Sequence, residues 1–125
     1  MGDTSLVLKS ISATLAAAIL VFGIAGCAAT ASAHPSIDIV ASNWKFVPGT
    51  ITIPINEPTT LRLISTEGVH GIQSSDLGIA DTTIMPGKFV TVVFTPKKLG
   101  TYRVQCSIFC GAGHAAMALT IKVVP

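Results

Sequence analysis

Charged side chains are scarce in this chain. Only 11% of the 125 residues are charged, 8 lysines and arginines stand against 6 aspartates and glutamates, and the formal net charge is +2. A domain that binds nucleic acid needs a clustered basic face, and this charge balance is too weak to suggest one. The composition therefore excludes nucleic acid as a partner.

Motifs for catalysis and for several cofactors are also missing. The sequence has no glycine-rich nucleotide-binding loop, no nucleophile–base pair, no carboxylate pair and no Cys-x-x-Cys-His run for haem attachment. A length of 125 residues matches a single typical domain. We therefore expect one domain at most, without an active site of its own.

The N-terminal residues 1–33 hold the excess of apolar side chains. Lys9 gives a weakly positive start, and the apolar stretch over residues 11–24 has the length typical of a signal peptide. Residues 24–27 resemble a bacterial lipobox, in which Cys27 would be lipidated. Residues 31–33 instead fit ordinary cleavage before His34, and the uncharged run over residues 11–33 is also long enough for a retained membrane anchor.

All three alternatives predict that the rest of the chain works outside the cytoplasm. A lipid on Cys27 or a retained N-terminal segment would hold it at the periplasmic or cell-surface side of a bacterial membrane. We therefore expect residues 1–33 to be leader and tether, and residues 34–125 to be the folded domain.

Residues 34–125 are predicted to be all-β. Short runs of β-branched and apolar residues alternate with turn signals such as Pro48-Gly49, without helical periodicity, which favours a Greek-key β-sandwich. Pro54 indicates an edge strand. On the last strand, Leu119, Ile121 and Val123 are expected to share one face. The predicted strands cover residues 37–40, 44–47, 50–55, 60–64, 89–94, 101–104 and 118–124.

Cys106 and Cys110 are the only cysteines of the predicted domain, and in an exported protein two nearby cysteines are ordinarily a disulfide. Here, however, an imidazole and a thioether follow them within a few residues, at His114 and Met117. Sulfur and imidazole together are the donor set of copper, whereas hard cations prefer oxygen ligands. Glycines on both sides of Ala112 allow a tight loop.

The order and spacing of Cys110, His114 and Met117 are typical of a mononuclear blue-copper site. Such a site needs a second histidine from another loop, and His70 can supply it. Cys106 is one thiolate too many for a single trigonal copper. It can instead bridge to a second copper, with both sulfurs shared between the two metals.

This segment resembles the binuclear copper centre, CuA, of cytochrome c oxidase subunit II, whose pattern is Cys-Ser-x-x-Cys-Gly-x-x-His-x-x-Met. The resemblance covers about residues 37–125. It includes an Asn-x-x-Phe-x-Pro-like opening at residues 43–48, a histidine after a short acidic-glycine turn, a Pro-Gly pair before a long strand, and Gly-x-Tyr ahead of the first cysteine.

The resemblance implies a cupredoxin-like Greek-key fold and an electron relay with two copper ions. Cys106 and Cys110 would bridge the metals, while His70 and His114 would each bind one of them. Met117 would be a weak axial ligand, and the backbone carbonyl of Ile108, where the family usually has an acidic residue, would serve the other copper. The implied partners are a c-type cytochrome and a haem–copper oxidase core.

Several alternatives remain open on the sequence. The chain resembles a subunit of an oxidase, yet it has at most one hydrophobic segment where subunit II usually has two, so a free-standing carrier is also possible. A mononuclear cupredoxin, a copper-handling protein for oxidase assembly, and a zinc- or disulfide-stabilised domain are the other hypotheses. Trp44 is interpreted as a core residue, with an electron-accepting tryptophan of the oxidase subunit as the alternative.

Overall fold

The computed structural model describes Gly26 and residues 33–125. The predicted signal peptide and the lipidation residue Cys27 lie outside these described residues. Within the described part of the chain, no helix combines the length and the apolar character needed to cross a bilayer.

The described residues form nine β-strands and one short 3-10 helix, so the all-β prediction is confirmed. The 3-10 helix, His114–Ala116, lies between the last two strands. The strands are β1 Ser36–Ser42, β2 Lys45–Val47, β3 Thr50–Pro54, β4 Thr59–Ser65, β5 His70–Ser74, β6 Ile79–Ile84, β7 Val90–Phe94, β8 Gly100–Gln105 and β9 Ala118–Val124.

The strands pair in three sheets. The largest has the order β2-β1-β4-β7, the second has the order β3-β9-β8, and β5 pairs with β6. The pairs β1–β4 and β3–β9 are parallel, and the other pairs are antiparallel. β3 is an edge strand of its sheet, as Pro54 indicates, because proline has no amide hydrogen to donate to a further strand.

The core lies between the two larger sheets and follows the period-two alternation of their strands. Leu119, Ile121 and Val123 are all buried, which confirms their predicted common face. Each fully buried aliphatic side chain of this size contributes about 1.5–3 kcal/mol to folding. Other core residues with no exposed surface include Ile39, Ile53, Leu61 and Leu63.

The strand ends bring three connections to one end of the domain. Gln105 of β8 pairs with Ala118 of β9, so residues 106–117 form the connection that closes this hairpin. An isolated bridge between Ile72 and Cys106 ties the start of that connection to β5. The β4–β5 loop leads directly into β5, and the β1–β2 turn contacts the same connection through Trp44. This end of the sandwich therefore carries the predicted ligands.

A candidate metal centre

The connection between β8 and β9 folds back on itself in two steps. The amide of Cys106 donates to the carbonyl oxygen of Met117 at 3.0 Å, which extends the β8–β9 ladder by one rung. Beyond that rung, the amides of His114 and Met117 donate to the carbonyls of Gly111 and His114 at 3.1 and 3.2 Å. These tight turns place His114 and Met117 beside Cys110.

The structure brings all six predicted site residues together. The Sγ atoms of Cys106 and Cys110 are 3.6 Å apart, and both cysteines are free. A disulfide bond would be about 2.05 Å long. The Sγ of Cys106, the Sγ of Cys110 and a ring nitrogen of His70 lie within 4.8 Å of one another, although their residues are up to 40 positions apart in the chain.

The donor atoms divide into two groups, one around each thiol. The Sγ of Cys106 lies 4.0 Å from Nδ1 of His70 and 3.2 Å from the carbonyl oxygen of Ile108. The Sγ of Cys110 lies 3.6 Å from Nδ1 of His114 and 3.8 Å from Sδ of Met117. Each thiol therefore has its own imidazole nitrogen and one weaker donor beside it.

The orientation of His70 follows from a single hydrogen bond. Nε2 of His70 lies 2.7 Å from the carbonyl oxygen of Glu67. Because a carbonyl only accepts, Nε2 must carry the proton, and the lone pair of Nδ1 is left facing the thiols. Ser65 shapes this loop, since its hydroxyl accepts from the amide of Glu67 and lies 2.6 Å from the carbonyl oxygen of Gly68.

Burial differs across the site. His70 and Met117 have no exposed surface and Cys106 is almost fully buried, whereas Cys110, His114 and Ile108 are half-buried. Burial, together with the neighbouring Cys106 thiol, raises the pKa of Cys110 to about 11. At neutral pH this thiol holds its proton until a cation takes its place.

The donor set fits copper. Two imidazoles, a thioether and a carbonyl oxygen lie around the two neighbouring thiols, and no carboxylate is among these six donors. Thiolate and thioether sulfur with imidazole nitrogen is the combination that copper prefers, whereas magnesium and calcium require oxygen ligands.

A family model described as a cupredoxin-like domain matches residues 14–117. The chain belongs to this cupredoxin-like family. The expected cupredoxin-like fold is therefore confirmed, and the connection that carries four of the side-chain donors falls within the matched residues.

The cupredoxin-like domain is also similar to a subunit of cytochrome c oxidase. It is 30% identical over 88 residues to cytochrome c oxidase subunit 2 of Thermus thermophilus, an alignment that covers 70% of this chain and 64% of that relative. The chain thus spans less than two thirds of the relative's length. The expected resemblance to subunit II is confirmed.

Solved structures share this fold. The periplasmic domain of subunit II of cytochrome oxidase from Bradyrhizobium japonicum superposes with a TM-score of 0.65 at 20% identity, covering 72% of this chain and 83% of that one. A haem–copper terminal oxidase dimer contains a chain that superposes with a TM-score of 0.64 at 26% identity, covering 74% of this chain and 66% of that one.

Two further residues contact the ligand loop of this cupredoxin-like domain: Trp44, for which a core position was the favoured interpretation, and Asp81, which sequence reasoning missed. Trp44 was expected in the core but is 41% exposed, and its indole nitrogen donates to the carbonyl oxygen of Cys110 at 2.9 Å. Asp81 accepts a hydrogen bond of 3.0 Å from the hydroxyl of Ser107. Both contacts join residues far apart in sequence, so no local pattern could have indicated them.

Proposed function

We propose that this chain is an exported, membrane-tethered electron-transfer protein whose site binds a pair of copper ions. The observation that carries the proposal is the placement of two thiol sulfurs 3.6 Å apart, each beside its own imidazole nitrogen. A single copper would leave one of these thiol–imidazole pairs without a metal. Two ions that share both sulfurs would use both pairs.

Copper at this site would supply a centre that gains and loses one electron, with the charge spread over the metals and both sulfurs. The residues of the chain would bind and orient the metals. Cys106 and Cys110 would bridge them, His70 and His114 would each bind one ion through Nδ1, and the carbonyl of Ile108 and the thioether of Met117 would be the weaker ligands.

The scaffold supports such a role because it keeps the donors nearly fixed. The ligand connection is held by the β8–β9 ladder on one side and by β5 on the other, and His70 is fixed by its bond to Glu67. Buried Met117, His70 and Cys106 keep water away from the inner half of the site. Donors that move little between two charge states allow electron transfer with little rearrangement.

Zinc is a less suitable occupant. A tetrahedral zinc site would take the two thiols and the two imidazoles and would have no use for a thioether. Met117 nevertheless has no exposed surface, and its Sδ is directed at Cys110 from 3.8 Å. The buried thioether favours copper.

The location and the partners belong to the proposal as well. One solved relative is a periplasmic domain and another belongs to a haem–copper terminal oxidase, which supports an extracytoplasmic domain that exchanges electrons with a c-type cytochrome or an oxidase core. We place the folded domain at residues 34–125. Lipidation of Cys27, or a retained N-terminal segment, would tether it to the membrane.

Metal counting tests the proposal. The full chain is reduced, loaded with copper without oxygen and separated from free metal. We expect about two coppers per chain and, after partial oxidation, an electron paramagnetic resonance spectrum of one electron shared equally by two copper nuclei. One copper per chain, or zinc alone, would contradict the proposal.

Two cysteine variants test whether the counted copper is bound at this site. Cys106→Ser removes one shared sulfur, so we expect copper to fall to about one per chain and the shared-electron spectrum to disappear. Cys27→Ser is the matched control, since it removes the remaining thiol of the chain outside the site and should leave the count unchanged. Equal losses in both variants would show that copper is bound elsewhere.

A further inference from the structure

The turn between β1 and β2 places an aromatic ring against the ligand connection. Trp44 lies in this turn, and its Nε1 donates to the carbonyl oxygen of Cys110 at 2.9 Å, across 66 positions of sequence. The side chain is 41% exposed, so one side faces water while the other covers the connection. The hydrogen bond acts on the peptide group of a candidate metal ligand.

Two glycines make room for this ring. A Cβ atom on Gly113 would lie 2.5 Å from Cγ and Cδ2 of Trp44, and one on Gly111 would lie 3.1 Å from its Nε1. Gly113 has a φ of −90°, which any residue adopts, so its requirement for glycine is steric. Because residues 111 and 113 have no side chains, the indole can pack directly against their backbone.

The same turn also touches the other ligand loop. Oδ1 of Asn43 is buried, and a Cβ atom on Gly68 would lie 2.8 Å from it and 3.2 Å from Nε2 of His70. The β1–β2 turn therefore contacts the backbone beside His70 through Asn43 and the backbone of Cys110 through Trp44.

We infer that Trp44 is a positioning residue for the metal centre. Its indole fixes the backbone at Cys110 and the turn over residues 111–113, and thereby sets the direction of the Cys110 sulfur toward that of Cys106. The contact itself is independent of metal, whereas its effect on copper rests on the proposed function. Two measurements separate these parts.

The first measurement needs no metal. Trp44 is the one tryptophan of the chain, so its fluorescence reports on this contact alone. In the metal-free full chain, Gly113→Ala should displace the indole from the backbone of residues 111–113 into water. The fluorescence emission of Trp44 should then shift to longer wavelength. Gly49→Ala is the matched control, because a Cβ there would meet its nearest neighbour, the carbonyl oxygen of Phe46, at an ordinary 3.6 Å.

An unchanged emission in Gly113→Ala would overturn the inference whatever the copper content. If Gly113→Ala does not fold, the double variant Trp44→Ala/Gly113→Ala decides by circular dichroism. A folded double variant supports a clash with the indole. If the double variant is unfolded while Trp44→Ala alone is folded, the inference is overturned.

The second measurement uses copper. Competition with a copper(I) chelator should show that Trp44→Ala binds copper about tenfold more weakly, the usual loss when a group that orients a metal ligand is removed. Trp44→Phe keeps an aromatic ring on the glycines and should recover part of this loss. Adding Gly113→Ala to Trp44→Ala should weaken binding no further, because the ring that the new methyl group would meet is gone.

Independent effects of the two substitutions, which multiply in the double variant, would overturn the inference. So would full-strength copper binding by Trp44→Ala. If the wild-type chain binds no copper at all, the proposed function fails, and the emission of Gly113→Ala still decides whether Trp44 holds the connection.

Discussion

Two segments of very different character meet at the candidate metal centre. The β8–β9 connection holds Cys106, Ile108, Cys110, His114 and Met117 within twelve consecutive positions, largely at the surface. The β4–β5 loop contributes His70 alone, fully buried and oriented by its bond to Glu67. The connection is defined by its local sequence, whereas the role of His70 depends on its approach to Cys106, 36 positions away, which only the fold creates.

The largest test of this difference compares the two histidines in the metal-free chain. His70→Ala would leave a buried hole and remove the shorter of the two hydrogen bonds to the Glu67 carbonyl, so we expect a loss of about 3 kcal/mol in the free energy of unfolding. His114→Ala removes a half-buried ring and should cost less than about 1 kcal/mol. Urea unfolding followed by circular dichroism measures both values. Equal losses would mean that His70 is no better integrated into the fold than His114.

The pH dependence of copper binding tests the thiol that the β8–β9 connection contributes at Cys110. Because the pKa of Cys110 is raised to about 11, its thiol is protonated at neutral pH, and copper must displace that proton. Affinity should therefore rise with pH, by about tenfold per pH unit for each proton released. Chelator competition at about pH 7 and about pH 8, corrected for the chelator's own protonation, measures the slope.

The control for this slope is Cys27→Ser, which should reproduce the wild-type values because Cys27 is the one cysteine of the sequence that is not a candidate ligand. Cys110→Ser should bind less copper and show a shallower slope. An affinity independent of pH would contradict thiolate binding at Cys110.

The contrast between the two segments also explains how far the sequence could be read. Cys106, Cys110, His114 and Met117 were identified because thiol, imidazole and thioether groups at this spacing have few other uses. His70 was added because such a site needs a second histidine, and the carbonyl of Ile108 was named only through the resemblance to subunit II. Strands with regular alternation, such as β9, were found as well. β5 and β6 were missed. β5 has three buried residues in a row, and β6 is exposed or half-buried at four successive positions between its buried ends, so neither shows a period of two.

Trp44 shows the other limit of sequence reasoning. A lone tryptophan is ordinarily assigned to the core on its size and hydrophobicity, and that prediction was wrong. Trp44 is held at the surface by its packing against Gly111 and Gly113 and by its hydrogen bond to the carbonyl oxygen of Cys110, more than sixty positions away in the sequence. The glycines were predicted to serve a tight turn. Gly111, with a φ of +118°, does serve a turn that favours glycine. At Gly113 the backbone would accept any residue, and glycine is needed because a side chain would clash with the indole.

A smaller effect is expected at Met117. Met117→Leu nearly conserves volume in a fully buried position, so the unfolding free energy should fall by less than about 1.5 kcal/mol. As a weak ligand, the thioether should tune the centre without being needed to hold it. We therefore expect two coppers and a shifted reduction potential, measured by metal analysis and voltammetry. Loss of copper in this variant would show that Met117 is a principal ligand.

The smallest expected effect concerns a side-chain link between the β8–β9 connection and β6. The hydroxyl of Ser107 donates to Asp81 of β6, the strand paired with β5, at 3.0 Å, and both side chains are exposed. Ser107→Ala should cost about 0.5–1 kcal/mol of unfolding free energy, and the same substitution at exposed Ser75 should cost less. The amide of Ser107 still donates to the carbonyl of Gly71 in this variant, so copper affinity should stay within about twofold. A tenfold loss of affinity without a matching loss of stability would instead show that the Ser107–Asp81 bond helps to set the ligand geometry, and the β5–β6 pair would then hold the connection by a side chain as well as by backbone.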